Sequence, residues 1–143
     1  MLDLIGFYED DYKEQVNSLI KEGLVIDHGF QEDPCPYYEQ ADCVVLPSYH
    51  EGMSNVLLEG AACCRPLITT DIPGCREVVD NEITGLLVKV KDTDSLLSAM
   101  ELMLKKSREE REQMGIRGRE KMDRVFDKVK VVEETVRNLP IVS

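Results

Sequence analysis

Short apolar runs alternate with helical patterns along the first hundred residues of the chain. The apolar runs are LDLIG (2–6), LVIDHG (24–29), CVVLP (43–47), PLITT (66–70) and TGLLV (84–88). Each run is followed by a segment with helical periodicity, at residues 10–22, around Tyr37, at 54–64, around Val78 and at 94–104. Since nearly continuous apolar strands alternate with helices, the pattern predicts an α/β fold in which one parallel sheet carries helices on both faces.

The C-terminal part of the chain is charged and helical in period. Its apolar positions recur every three or four residues over residues 107–139 and include Met114, Met122, Val125 and Phe126. Such a stripe is typical of a packing surface. Gly115 and Gly118 predict interruptions of the helix, with a further one near Phe126 and Asp127. Because no linker or internal repeat divides the chain, residues 1–143 are predicted to form a single domain.

Composition and charge argue against several classes of function. A hydrophobic share of 43% in 143 residues suffices for one core, and no run approaches the roughly 20 apolar residues of a membrane span. The start, MLDLIGFYEDDYK, lacks the cationic lead of a secretory signal. We therefore expect a cytoplasmic protein, with peripheral attachment of the full-length protein to the inner membrane face left open. The net charge of -11 argues against nucleic acid as a partner.

Cysteine and histidine patterns predict neither a metal site nor a disulfide framework. The five cysteines contain no CxxC pair and are odd in number, and the two histidines, His28 and His50, lie far apart in the sequence. Reduced, mostly buried thiols are therefore expected. No metal ion and no other cofactor is predicted.

One loop combines the residue types that bind an anion. In an open parallel sheet, ligands bind beyond the carboxyl ends of the strands. The segment SYHEGMSN (48–55) follows the run CVVLP and leads directly into a helix. Gly52 permits a tight turn, and Ser54 or Asn55 can cap the helix. Amides at the helix start, Met53 among them, would then face a phosphate and bind it without any lysine.

Two glutamates flank this loop. Glu59 lies about five residues into the helix, so its carboxylate is roughly 7 Å along the axis from the anion site, about the reach from a diphosphate to a ribose. A carboxylate there can accept hydrogen bonds from two ribose hydroxyls. Glu51 precedes the helix, where the hydroxyls of a sugar would lie. The same spacing also fits an ordinary βα unit with two solvated glutamates.

Two other classes of protein fit parts of this pattern. A glycosidase also uses two carboxylates, about 5 to 10 Å apart, but Glu59 inside a helix beside an anion site is better suited to a ribose than to proton transfer. A non-catalytic flavodoxin-like signalling or interaction domain has an acidic cluster after its first strand and a central phosphorylatable aspartate. Residues 9–11 supply such a cluster, but CVVLP ends in Pro-Ser where the aspartate would stand. This second class is kept as the alternative.

The segment EGMSNVLLE resembles the Glu-x7-Glu signature of retaining GT-B glycosyltransferases of family four, the glycosyl transferases group 1. Its surroundings, residues 41–88, are similar to the strand, loop, helix, strand run of that family. Upstream, VIDHGF resembles the strand and Gly-Phe loop that passes near the nucleotide base. The resemblance covers most of residues 1–104 and implies a Rossmann-like donor domain, the C-terminal half of a GT-B fold, with Gly29 and Phe30 near the base.

The resemblance also implies a reaction. It is the transfer of a sugar from a nucleoside diphosphate, with retention of configuration and without an obligatory metal, to a glycan or lipid-linked acceptor. Glu51 would be the catalytic residue that orients the donor sugar and favours a cationic transition state, and Glu59 would hold the ribose. The phrase DIPGCREVV is similar to members that build bacterial capsular polysaccharides and exopolysaccharides.

Two parts of the family pattern have no counterpart in this sequence. Family members carry an N-terminal acceptor domain and, at the start of the donor domain, a loop rich in Arg and Lys that grips the diphosphate. LDLIG resembles only the second strand of the donor domain. We therefore expect a chain truncated on its N-terminal side that transfers no sugar alone. Its expected partners are a nucleotide sugar, an acceptor and the missing N-terminal domain.

Overall fold

The computed structural model describes residues 1–7, 12–127 and 137. The chain forms two compact units, residues 1–36 and 37–143, and a single domain that includes both stays a prediction. The predicted helix start near Asp10 and most of residues 128–139 lie outside the described residues. Within the described ranges, no helix has the length and apolar character that crossing a bilayer requires.

The first unit is a small parallel β-α-β arrangement. It contains β1 (Leu2–Leu4), α1 (Lys13–Lys21) and β2 (Val25–Asp27). Strands β1 and β2 pair in parallel, with Leu2 opposite Val25, and the Nε2 of His28 lies 2.7 Å from the Oδ1 of Asp3. Helix α1 has no buried residue, and β2 buries Val25 while Ile26 and Asp27 stay exposed.

The second unit is built around a three-stranded parallel sheet. Its elements are the greater part of α2 (Cys35–Gln40), β3 (Val44–Leu46), α3 (Asn55–Ala62), β4 (Leu67–Thr70), β5 (Gly85–Val88), α4 (Thr93–Lys105) and α5 (Arg108–Val125). The strand order is β3-β4-β5, and both pairs of neighbours are parallel. Strand β4 is therefore central.

Helices cover both faces of this second sheet. Side chains of consecutive strand residues point to opposite faces, and the neighbours Leu67 and Ile68 of β4 belong to two different apolar clusters. Leu67 packs in a cluster with Leu57 of α3, whereas Ile68 packs in a cluster with Met103 of α4. The predicted α/β fold with parallel strands is confirmed.

The prediction of one five-stranded sheet is wrong for the described residues. The strands pair as two sheets, β1-β2 and β3-β4-β5. The two sheets also differ in burial, since all four residues of β4 are buried and β2 buries only Val25. An apolar run thus predicted a strand correctly in each unit, but it did not reveal which strands pair.

The short helix predicted around Val78 is also absent from the described residues, where positions 73–78 form turns. The amide of Arg76 donates to the carbonyl of Ile72 four residues back, whereas that of Val78 donates to Cys75 three residues back. Gly74 has a positive φ of 87°, which is incompatible with a right-handed helix. Val78 is nevertheless buried in the core, so its apolar spacing reflects packing and not helical period.

Helix α5 runs without interruption through Gly115 and Gly118, contrary to the prediction. Both glycines are buried on the side that packs against the rest of the unit. A Cβ atom at Gly115 would lie 1.9 Å from the carbonyl oxygen of Cys64, so glycine permits close backbone packing there. The helix ends at Val125, next to the predicted break near Asp127. In the predicted stripe, Met114 and Met122 are buried and Phe126 is half-buried, whereas Val125 is exposed.

All five cysteines are free thiols, as expected, but their predicted burial is wrong for most of them. Cys75 is buried and Cys35 is exposed, while Cys43, Cys63 and Cys64 are half-buried. Burial raises the pKa of Cys43 to about 12, and the Arg111 guanidinium opposes that rise.

Gly115→Ala is expected to lower the free energy of unfolding by about 1–3 kcal/mol, because the added methyl group must displace the Cys64 carbonyl. Gly118→Ala is the matched control, since its Cβ would meet the nearest side chains at an ordinary 3.8 Å. Alanine in a helix interior is favoured over glycine by about 0.5–1 kcal/mol. Urea unfolding followed by circular dichroism measures both variants, and equal stability of the two would contradict the close packing of α5.

Candidate functional site

The loop between β3 and α3 ends in a well-defined helix cap. Ser54 has an extended backbone, with φ -76° and ψ 107°, and its side chain accepts a hydrogen bond from the amide of Leu57. Ser54 is 2% exposed, and Asn55 is the first residue of α3. Of the two residues predicted as possible caps, Ser54 is therefore the one that caps the helix.

Two threonines of β4 fasten the end of β3, from which this loop starts. The Thr69 hydroxyl donates to the carbonyl of Leu46 at 2.8 Å, and the Thr70 hydroxyl donates to the carbonyl of Ser48. Both threonines are buried, and a buried hydroxyl needs a partner. The first residues of the loop are thus held by the interior of the sheet.

The two glutamates of the predicted site lie on either side of the helix start. Glu51 is half-buried in the loop, and its Oε1 accepts a hydrogen bond of 2.7 Å from the Ser48 hydroxyl. Glu59 is half-buried within α3. Ser48 was not among the predicted site residues, although its position three residues before Glu51 permits the contact.

The other predicted site residues at the helix start differ in their exposure to solvent. Gly52, Met53 and Asn55 are exposed, so this part of the loop surface is open to a ligand. The amide of Ser54, by contrast, donates to the carbonyl of Gly74 at 3.3 Å. The Ser54 amide therefore holds the loop backbone in place.

Gly29 and Phe30 belong to the first unit, and the other predicted site residues belong to the second. Gly29 has a positive φ of 61°, and its amide donates to the Asp27 side chain at 2.9 Å. The Phe30 ring stacks on Phe7, with 4.7 Å between ring centroids and an angle of 8° between planes. Both rings are exposed.

Residues 71–77 contact the loop and were not predicted as part of the site. Gly74 accepts the hydrogen bond from Ser54, and the amide of Gly74 donates to the Oε2 of Glu77 at 2.7 Å. The Pro73-Gly74 pair predicts a turn, but nothing in the sequence pattern indicates which segment that turn contacts. Glu77, three residues after Gly74, is a local signal of the turn, because its side chain can accept a hydrogen bond from the Gly74 amide.

Cys75, within the segment 71–77, is buried in the core of the second unit. Burial raises the pKa of its thiol above the ordinary value, a hydrogen bond with Thr69 opposes the rise, and the carboxylates of Glu51 and Glu77 add to it. The thiol therefore stays neutral at physiological pH and places no further negative charge beside Glu51.

The charged groups around the loop include one cation that the sequence pattern did not single out. The Nζ of Lys91, which follows β5, lies 5.4 Å from the ring centroid of Tyr49.

In the parts of the chain that the structure describes, no three or more histidine, cysteine, aspartate or glutamate residues come together as a metal site. The groups described at or near the loop thus include a helix start, the carboxylates of Glu51, Glu59 and Glu77, the Lys91 ammonium group and hydrogen-bonding backbone groups.

Comparison with known proteins places this arrangement in a family. Residues 1–106 match the model of the family described as "Glycosyl transferases group 1". Over 144 aligned positions, the chain is 30% identical to the N-acetylgalactosamine-N,N'-diacetylbacillosaminyl-diphospho-undecaprenol 4-alpha-N-acetylgalactosaminyltransferase of Campylobacter jejuni, with coverage of 96% of this chain and 39% of that protein. It is 30% identical over 102 residues to the capsular polysaccharide biosynthesis glycosyltransferase CapM of Staphylococcus aureus, with coverage of 71% and 27%.

The fold is also shared with a solved structure. Sucrose-phosphate synthase from Thermosynechococcus elongatus matches with a TM-score of 0.81 and 27% identity, over 95% of this chain and 37% of that chain. The chain thus spans well under half the length of these proteins. Because the family match extends from residue 1 to residue 106 of 143, the chain belongs to the glycosyl transferases group 1 family and has the Rossmann-like α/β fold of its GT-B enzymes.

Proposed function

We propose that this chain binds a nucleoside-diphosphate sugar and forms the donor half of a retaining glycosyltransferase. The observation that carries the proposal is the start of α3, where a buried Ser54 caps the helix beside the exposed Gly52 and Met53. It follows the carboxyl end of a parallel strand, where open α/β sheets bind their ligands. In a member of a glycosyltransferase family, a diphosphate is the ligand that suits such a helix start.

The helix start would stabilise the leaving diphosphate. The N-terminus of a helix carries about half a positive charge and several amides without a helical partner. These groups are present before the reaction, so they stabilise charge on the diphosphate without reorganisation. The reaction proposed in this way has no obligatory metal ion or other cofactor.

The two carboxylates have different proposed roles. The Ser48 hydroxyl donates to the Oε1 of Glu51 at 2.7 Å. The Oε2 would accept a hydrogen bond from a hydroxyl of the donor sugar, and the carboxylate would favour a cationic transition state. Glu59 would accept hydrogen bonds from the ribose. A role for Gly29 and Phe30 near the base stays a prediction of the family resemblance.

The names of the relatives support an acceptor class. The Campylobacter relative is named for transfer to a diphospho-undecaprenol-linked glycan, and the Staphylococcus relative is named for capsular polysaccharide biosynthesis. We therefore include a glycan or lipid-linked acceptor in the proposal, with capsular or exopolysaccharide synthesis as the process. The acceptor would bind a separate N-terminal domain, since this chain spans 39% of the Campylobacter relative.

The alternative of a flavodoxin-like signalling domain has lost its support. The family match over residues 1–106 speaks against it. Its acidic cluster, residues 9–11, lies outside the described residues.

In the full-length enzyme, Glu59→Ala is expected to weaken nucleotide binding roughly tenfold with little change in turnover, because charge-assisted hydrogen bonds to the ribose are lost. Glu51→Ala is expected to lower kcat roughly a hundredfold, because its interaction strengthens in the transition state. Steady-state kinetics with UDP- and GDP-sugars measures both variants. Glu120→Ala, at an exposed position of α5, serves as the control, and equal effects of the two site substitutions on KM and kcat would contradict these roles.

The isolated 143-residue chain is expected to bind UDP with a dissociation constant in the millimolar range and to transfer no sugar. The proposal places the cationic loop and the acceptor domain of the family pattern outside these 143 residues. Two lost charge-assisted hydrogen bonds, at about 1.5–3 kcal/mol each, weaken binding by about a hundredfold or more. Titration calorimetry and a transfer assay on the purified chain test this. Micromolar binding or measurable transfer would show that no essential contact is missing.

A further inference from the structure

Two segments of the second unit, residues 51–54 and 71–77, approach each other closely at Gly74. Gly74 is buried and has a φ of 87°. A Cβ atom at this position would lie 1.6 Å from the carbonyl oxygen of Gly52 and 2.8 Å from that of Glu51. The backbone of Gly74 is therefore packed directly against the backbone of the candidate loop, with no room for a side chain.

A short series of hydrogen bonds links the same segments. The amide of Ser54 donates to the carbonyl of Gly74 at 3.3 Å, and the amide of Gly74 donates to the Oε2 of Glu77 at 2.7 Å. The Glu77 carboxylate thus fixes the peptide group before Gly74, and Gly74 in turn holds the residue that caps α3. A charge-assisted hydrogen bond of this kind is roughly twice as strong as a neutral one.

We propose that Gly74 and Glu77 are positioning residues of the donor site, and that together they form a clasp that holds residues 51–54 in their ligand-binding conformation. This inference rests on the function proposed above. The clasp does not touch the ligand. It reduces the conformational freedom that the loop would otherwise lose on binding.

The negative charge of Glu77 distinguishes the clasp from a simple electrostatic effect on the diphosphate. The carboxylates of Glu51 and Glu77 both act on the thiol of Cys75, so Glu77 places a negative charge near the loop. Acting through space alone, this charge would repel a diphosphate, and its removal would strengthen binding. The clasp predicts the opposite sign, because removing the carboxylate releases Gly74.

The experiment compares Glu77→Ala with Glu77→Gln in the isotope-labelled chain, with UDP as the probe. Glutamine keeps an oxygen that can accept the hydrogen bond from Gly74 but carries no charge. We expect Glu77→Ala to weaken UDP binding roughly three- to tenfold and Glu77→Gln to bind about as well as the unaltered chain. Amide chemical-shift titration measures the affinities. Glu120→Ala on α5 controls for the loss of one negative charge at an exposed site.

A second readout tests the loop without any ligand. In Glu77→Ala, the Ser54 amide should exchange its hydrogen faster than in the unaltered chain, and Glu77→Gln should restore slow exchange. Thermal unfolding of each variant tests whether the change in exchange is local or reflects a loss of global stability. UDP binding in Glu77→Ala as tight as in the unaltered chain, or equal weakening by alanine and glutamine, would overturn the clasp.

The two proposals fail in different ways. An unaltered chain whose amides do not shift at about 10 mM UDP would contradict the proposed donor site. The exchange rate of the Ser54 amide would still decide the clasp, because it is measured in the absence of nucleotide. Unchanged exchange in Glu77→Ala would overturn the clasp even if UDP binds.

Discussion

Strand β4 is buried along its whole length, and that burial places the other parts of the second unit. A strand covered on both faces needs apolar neighbours on each side and a partner for every polar atom. Leu67 and Ile68 supply the apolar contacts to the two clusters. The hydroxyls of Thr69 and Thr70 donate to the carbonyl groups of Leu46, the last residue of β3, and of Ser48, the first residue of the loop. The loop that leads to α3 therefore starts from a fixed point in the protein interior.

Local patterns predicted the elements of the fold better than their connections. Each of the five described strands lies within an apolar run. For β4, buried along its whole length, the cause is burial on both faces of the sheet, whereas β1 and β2 are mostly exposed. The pairing of the strands into two sheets depends on residues far apart in the sequence, and the runs carry no record of it. Gly115 was read as a break in α5, although its missing side chain serves the contact with Cys64. A glycine can end a helix or let it pack closely, and sequence spacing alone does not distinguish the two.

The candidate site shows the same division between local and distant determinants. A glycine for the turn and a serine for the cap are local features, so the capped helix after β3 could be predicted, and Ser54 has that role. Gly74 and Glu77 act on the loop from twenty or so residues further along, chiefly through backbone atoms. Backbone contacts leave almost no trace in residue type beyond the glycine itself. For that reason the sequence pattern predicted a short helix around Val78 and did not reveal the turn at residues 73–78 or its contact with the loop.

The atoms that fix the loop are separate from the side chains that it displays. Ser54 and Gly74 are buried, whereas Met53 and Asn55 are exposed. Replacements at the exposed positions change the size and polarity of the displayed surface while the buried hydrogen bonds of the loop remain. The buried backbone contacts form a fixed frame, and the exposed positions form a rim whose side chains take no part in those contacts. On the proposed function, ligand preference could therefore change by single replacements at these rim positions, because substitutions of exposed side chains usually change stability little.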